Sequence, residues 1–221
     1  MSEQIVVSWS GGKDSCMALY DVLAETEYKV AALITTLTRD DDRISIHGVR
    51  RELVEKQAES LGLEFQPVYI SAGATNDEYE SNMRAALAPY QQKGISRIVF
   101  GDLFLEDIKK YRDRFLASIM MEGIYPIWKR DTSTLARDFL DLGFQAVVSS
   151  VNSAVLDQSF AGRVMDEDFL SQLPATVDPC GENGEFHTFV FAGPIFKDEI
   201  KITAGETVTR SGHFCSDLLA G

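Results

Sequence analysis

An α/β fold around a parallel sheet is predicted by three features of the sequence. Short runs rich in branched residues alternate with segments of helical spacing, again and again along the first two thirds of the chain. Pro67 stands inside the third of those runs, and a residue that cannot donate to a ladder belongs on an edge strand. In the stretch VVSWSGGKDSCMALY (residues 6–20), an apolar strand passes through two adjacent glycines into a helix. Together these predict a doubly wound order 3-2-1-4-5, with the first strand central and ligands gathered outside its carboxyl end.

The strand-like runs are Ile5 to Val7, Val30 to Leu37, Phe65 to Ile70, Arg97 to Gly101, Tyr125 to Trp128 and Ala146 to Val151. Between them, Cys16, Leu19, Tyr20 and Leu23 share one helical face. Val49, Leu53, Ala58 and Leu61 mark a second helix, closed by Gly62. A third carries Tyr79, Met83, Leu87 and Tyr90, with Pro89 expected to kink or end it. Ile108, Tyr111, Phe115 and Ile119 give a fourth, and Leu135, Phe139 and Leu142, followed by Gly143, a fifth. Beyond Asn152 the rhythm changes. A short helical segment near Asp166 to Leu173 precedes strand-like runs at Thr188 to Ala192, Glu199 to Thr203 and Glu206 to Arg210, with a hairpin expected at Ala204-Gly205. The expected division is a ligand-binding domain at 1–151 and a small α+β extension at 152–221.

Bulk composition narrows the function classes. The chain of 221 residues is 45% hydrophobic and 25% charged, and suits one substantial domain with a small extension. No apolar run approaches the roughly 18 residues that span a bilayer, and the first residues lack a basic-then-apolar leader, so a cytoplasmic protein without membrane partners is expected. Three cysteines without paired spacing (Cys16, Cys180, Cys215) exclude a disulfide framework and a CxxC site. Thirty-four acidic residues against 21 basic ones, a net charge of −13, disfavour extended nucleic-acid binding. The charged cluster Arg39 to Arg43 reads as a solvated loop. A homodimer fits a compact α/β chain of this size.

The hexad Ser10-Gly11-Gly12-Lys13-Asp14-Ser15 matches none of the commonest glycine motifs. A Walker loop needs glycine where Val7 stands and Ser or Thr where Asp14 stands; GxGxxG fails because the glycines are adjacent; GxSxG fails at Ser8. What remains is a strand–loop–helix anion cradle. Uncovered backbone amides at a helix N-terminus bind phosphate oxygens. Ser10 and Ser15 add hydroxyls, and Lys13 adds a point charge. Asp14 beside phosphates calls for a cation between them, which suggests Mg²⁺. The plainer alternative is a capped helix start, with Ser10 or Asp14 as the cap.

With these residues in view, S-G-G-x-D-S after a first strand resembles the PP-loop of the ATP pyrophosphatases, a Rossmann-like fold. Three further blocks, His47 to Leu53 (HGVRREL), Gly101 to Asp107 (GDLFLED) and Cys180 to Phe189 (CGENGEFHTF), are similar to the diphthine–ammonia ligase family, with wording nearer to bacterial members. The family's acidic block is often E-G-G-E; here it is Glu182-Asn183-Gly184-Glu185. The resemblance implies an ATP-dependent amide-forming ligase. ATP activates a carboxylate as an adenylate, pyrophosphate leaves, and ammonia attacks.

The resemblance implies roles as well. Pyrophosphate rests on Ser10, Gly11, Gly12 and Ser15, with Lys13 beside it and Mg²⁺ at Asp14. Adenine lies against Thr35, Thr36 and Leu37, and His47 is a weaker contact. Asp102 holds the metal or orients the acceptor, or else simply caps the helix that follows. Glu182, Glu185 and His187 bind ammonium and accept its proton, against a plain Asn-Gly turn with solvated charges. The acceptor carboxylate is diphthine on elongation factor 2 or a small molecule. The chain leaves no room for a glutaminase domain and residue 2 is serine, so free ammonia is the expected donor.

Two other functions compete. Sulfur transfer to tRNA would need Cys180 as a persulfide carrier, and a nucleotide-binding regulator would bind ATP without turnover. Arg50 and Arg51 open a helix whose dipole disfavours them, which points to an anionic partner such as phosphate or a substrate carboxylate. Tyr111 is expected in the core rather than as a stacking platform, Arg112 on a solvated, salt-bridged face with the cleft as its alternative, and Trp9 packed beneath the loop.

Overall fold

The computed structural model describes residues 2–45 and 48–221. His47 therefore lies outside the described residues.

β1 (Glu3–Ser8) is a continuous apolar run with Ile5, Val6 and Val7 fully buried, as a strand covered on both faces requires. It pairs in parallel with β2 (Tyr28–Thr38), leaving the tiny β3 (Arg43–Ile44) to fold back antiparallel against the end of β2. β4 (Glu64–Ile70) pairs in parallel with β2, and Pro67 sits opposite Thr35 on this outer strand. On the other side of β1 lie β5 (Arg97–Val99) and then β6 (Glu122–Ile124). The parallel strands thus run β4-β2-β1-β5-β6, the predicted 3-2-1-4-5 order.

Helices cover both faces. α1 (Lys13–Ala24) and α2 (Arg51–Leu61) pack on one face through Cys16, Leu19, Leu53 and Ala58, and Gly62 ends α2 in the left-handed region at φ 68°. Leu23 departs from expectation and lies in solvent, while Met17, Ala18 and Val22 are buried. α3 (Asn76–Gln92) and α4 (Glu106–Ser118) cover the opposite face through Met83, Leu87, Phe115 and Leu116. Pro89 falls in the last turn of α3, which ends three residues later.

The fifth strand lies earlier than expected. Tyr125 to Trp128 form a turn after β6, closed by the Trp128 N–H donating to the Tyr125 carbonyl. Pro126 within that aromatic run cannot donate to a ladder. α5 (Thr132–Asp141), capped by Asp131, returns to the first face.

β7 (Gln145–Asn152), which the sequence places before the domain division, is hydrogen-bonded to the strands that follow. After a short 3-10 turn at Gln158–Phe160 and α6 (Glu167–Gln172) come β8 (Phe186–Ala192), β9 (Ile202–Arg210) and β10 (His213–Ala220). They form a second, antiparallel sheet of order β8-β7-β10-β9. The hairpin expected at Ala204-Gly205 is displaced: β9 runs straight through those residues, and the turn is Ser211-Gly212, with φ of 46° and 81°. Gly205 instead faces a register shift in β10, where an added Cβ would come within 2.8 Å of the Asp217 carbonyl. The second sheet shares the core of the α1 face through Val147, Phe186, Phe189 and Leu218.

Candidate functional site

A cleft of about 650 Å³ opens at the carboxyl edge of the parallel sheet. One wall is the loop from Trp9 to Gly12 with the first turn of α1. Facing it are Thr36, Ser45, Cys180 to Glu182 and His187, and the far wall is made by Tyr79, Phe100, Asp102, Tyr111 and Arg112.

The glycine loop is held from below and from the second sheet. Gly11 adopts φ 73°, open to glycine at no steric cost, and its carbonyl accepts from the Val190 N–H of β8 at 2.9 Å. Trp9 is buried beneath the loop, as expected. Helix α1 starts at Lys13 with Gly12 at the cap position and no side-chain cap. Neither Ser10 nor Asp14 plays the capping role of the plainer alternative. Ser10 Oγ accepts from the Gly12 N–H at 3.3 Å, and Thr188 Oγ1, 175 residues along the chain, accepts from the Lys13 N–H at 3.0 Å.

Lys13 is 3% exposed. Its Nζ donates to Asp14 Oδ2 at 2.8 Å and to the Cys180 carbonyl, and it lies over the Phe186 ring. Burial pulls the Lys13 ammonium down, but Asp14, with Glu182 further off, carries it above its ordinary value. Burial raises the Asp14 carboxyl more than that ammonium lowers it. Asp14 Oδ1 is a buried oxygen with no hydrogen-bond partner among the described residues.

Glu182 Oε1 accepts from the backbone N–H groups of Leu103 at 2.9 Å and Phe104 at 3.4 Å. Burial, which outweighs those bonds, and the charge of Asp14 push its carboxyl up to about 7. Glu185 turns inward: its oxygens accept from the N–H groups of Asp178 and Asn183 and from the Asn183 side chain, which holds its carboxyl below the ordinary value against the opposing effect of burial. The acidic block is therefore split between one carboxylate at the cleft and one shaping its own turn. His187 lines the cleft, 6.3 Å between ring centres from His213.

On the far wall Asp102 is not a helix cap, since Leu105 occupies that position in α4. Its Oδ2 lies 3.0 Å from Arg112 Nε. Burial raises the Asp102 carboxyl, Arg112 opposes this, and Asp14 adds to it. The Arg112 guanidinium also lies 4.3 Å from the centre of the Phe100 ring, so it faces the cleft rather than solvent, and Tyr111 lines the cleft too. Of the residues expected near adenine, Thr36 lines the cleft. The Thr35 hydroxyl donates to the Trp9 carbonyl, and Leu37 is in the core.

Arg50 and Arg51 do find anions, but within the chain. Arg50 Nη2 donates to Asp217 Oδ2 at 2.7 Å and Arg51 Nε to Glu55 at 2.7 Å. Arg43, expected in a solvated loop, is buried and donates to Asp217 Oδ1 at 2.8 Å.

Sequence reasoning missed Gln57, Thr188 and Gly101 as parts of this site. Gly101 had a legible signal, a glycine ending a strand. An added Cβ there would lie 2.7 Å from the Asp14 backbone, so the segment just after β5 meets α1 backbone to backbone. Thr188 stood within the quoted block Cys180 to Phe189 without a role of its own, and Gln57 carried no local signal.

The order of the sheet and the cleft at its switch point define an α/β protein with a candidate ligand site where the first strand ends in a glycine loop. The family model described as the diphthamide synthase N-terminal domain matches residues 3–122, and that of the diphthamide synthase C-terminal domain matches residues 131–215. The chain belongs to the diphthamide synthase family. It is 26% identical to the diphthine–ammonia ligase of Danio rerio, covering 91% of this chain and 87% of that one. To the diphthine–ammonia ligase of Homo sapiens it is 24% identical, covering 91% and 84%. Among the described residues no helix is long and apolar enough to cross a membrane.

Proposed function

We propose that this protein is an ATP-dependent amide-forming ligase of the cytoplasm, which adenylates a carboxylate with release of pyrophosphate and transfers ammonia to it. The observation that carries the proposal is the buried Lys13–Asp14 pair at the mouth of a glycine loop, with Glu182 within reach of its field. The triphosphate lies along Ser10, Gly11, Gly12 and Ser15, where helix-end amides and hydroxyls meet phosphate oxygens. Lys13 is held in place by the Cys180 carbonyl, so its ammonium meets the β and γ phosphates without reorganisation. Adenine lies toward Thr36.

Among the described residues no three His, Cys, Asp or Glu side chains gather as a metal site. Mg²⁺ bound with a nucleotide needs only one or two carboxylates, the remaining ligands being phosphates and water. The residues fit: Asp14 offers a buried oxygen without a partner among the described residues, and Asp102 feels its charge. Asp14, with Asp102, would hold the ion, which would offset triphosphate charge as pyrophosphate departs. Glu182 then takes a proton from ammonium beside the activated carboxylate, because a carboxyl titrating near neutrality is suited to that exchange. Glu185 shapes the turn that presents Glu182, and His187 closes the same side.

The acceptor is a carboxylate of the diphthine type carried on elongation factor 2, or a small molecule. Arg112 is the oxyanion anchor for it, since its guanidinium is already oriented by Asp102 and Phe100. Sulfur transfer is disfavoured by Cys180: its thiol is buried, donates to the Thr132 carbonyl, and burial pushes it up to about 12. The deciding experiment is pyrophosphate release from Mg-ATP and ammonium, with and without diphthine-bearing elongation factor 2, with Asp14→Ala as control. Release that requires the acceptor and vanishes in the variant is expected. Binding of ATP with no release under any acceptor would overturn the ligase reading.

A further inference from the structure

Gln57 sits in α2, a helix that does not line the cleft, yet it is fully buried and uses its whole amide behind the glycine loop. Its Oε1 accepts from Trp9 Nε1 at 2.9 Å, on the residue before the hexad. Its Nε2 donates to the Gly11 carbonyl at 3.0 Å and to the Val190 carbonyl of β8 at 2.6 Å. Val190 in turn donates its own N–H to the Gly11 carbonyl. A Cβ added at Gly11 would lie 2.6 Å from Gln57 Oε1, so the amide also occupies the space that makes glycine obligatory there.

We infer that Gln57 is the positioning residue of the phosphate loop: one buried amide ties the Gly11 carbonyl, the Trp9 indole and strand β8 into a single unit. The inference rests on the nucleotide reading proposed above. The physical reason is directional. A loop that binds phosphate turns its N–H groups toward the ligand, so its carbonyls must be satisfied behind it, and an unsatisfied buried carbonyl is costly. Gln57 and the Val190 N–H satisfy the Gly11 carbonyl from the rear, which holds the loop in its binding shape before the ligand arrives. Two donors and one acceptor at fixed positions are what a primary amide supplies. Leucine supplies neither kind of group, and ionised glutamate has no donor for the two carbonyls.

The test compares wild type, Gln57→Leu and Gln57→Glu by calorimetric titration with Mg-ATP at pH 8 and pH 5.5, alongside amide hydrogen exchange of the ligand-free proteins. Both variants are expected to bind Mg-ATP at least about tenfold more weakly at pH 8, the effect of one lost hydrogen-bond partner. For Gln57→Glu the loss relative to wild type should shrink severalfold at pH 5.5, because a protonated carboxyl regains one donor; for Gln57→Leu it should not change. Exchange at residues 10–14 and Val190 should quicken in both variants, while α3 and β4 keep wild-type protection.

Affinities within twofold of wild type, or a Gln57→Glu loss equal at both pH values, would overturn the inference. If Gln57→Leu does not fold, the pH-dependent rescue of Gln57→Glu still decides. A wild type that does not bind Mg-ATP would instead refute the nucleotide reading. Loop-confined exchange would then still support Gln57 as the loop's support, and unchanged exchange would refute it.

Discussion

Two clusters of charge in this molecule behave in opposite ways. At the clasp between β3, α2 and β10, Asp217 accepts from Arg50 and Arg43, and the two Arg50 bonds first, then the one from Arg43, pull its carboxyl down to about 2. At the cleft, Asp14, Asp102 and Glu182 share the neighbourhood of Lys13 and Arg112, and burial pushes all three carboxyls up. The clasp is a satisfied ion triad joining the two halves of the chain. The cleft keeps more negative charge than its cations offset, which costs stability and is the pattern of a site built for a charged ligand. Stability and the proposed function thus fall to different acids.

Breaking the cleft at its cation should have the largest effect. Lys13→Met leaves Asp14 without its ammonium and the Cys180 carbonyl without a donor, and pyrophosphate release should fall by about 10³-fold. A loss below tenfold in a steady-state assay would remove Lys13 from the mechanism.

Glu182→Gln separates the two roles. Pyrophosphate-coupled amide formation should drop about 10–100-fold. At a fixed concentration of ammonium ion, the wild-type rate should rise through pH 7 and level off, and the variant should lose that inflection. The stability sign is the reverse of the usual one for an acid. A folded carboxyl near 7, above its ordinary 4.5, favours the fold at low pH, and that contribution is lost as pH rises through 7. Glu182→Gln should therefore be the more stable protein at pH 8, by about 2 kcal/mol after allowance for partial exposure. Urea melts at pH 5 and pH 8 measure this directly, and a destabilised variant at pH 8 would place Glu182 with the clasp instead.

Asp217→Asn sharpens the contrast from the other side. With the folded carboxyl near 2 against an ordinary 3.8, its contribution is fully present above about pH 4 and is lost as pH falls through 2. The substitution should cost about 1 kcal/mol at pH 7, discounted for exposure, with little effect at pH 2, and activity per folded molecule should stay within about twofold. A large fall in turnover without loss of stability would mean that the clasp serves the reaction.

Cys180→Ser should change least. The residue's carbonyl holds Lys13 and its thiol only meets Thr132, so turnover within about threefold of wild type is expected, and a complete loss would revive sulfur transfer.

What the sequence determined by itself is local in origin. Alternating apolar periodicity, Pro67 on an outer strand and the Ser10–Ser15 hexad at a strand–helix junction were enough for the parallel sheet, its order and the place of the cleft, because each follows from neighbours within a few residues. Where local signals competed they misled: Tyr125 to Trp128 have strand-forming side chains but contain Pro126, and Gly205 marks a register shift rather than a turn. The anion beside Arg50 was legible, its source was not, because Asp217 stands 167 residues away. Only the tertiary structure decided that Gln57 and Thr188 hold the loop, that Arg112 faces the cleft, and that Glu182 and Glu185, three residues apart, point to different tasks. Hydrogen-bond partners and burial are set by segments that chain order does not bring together, and these determine which charges are satisfied and which are left for a ligand.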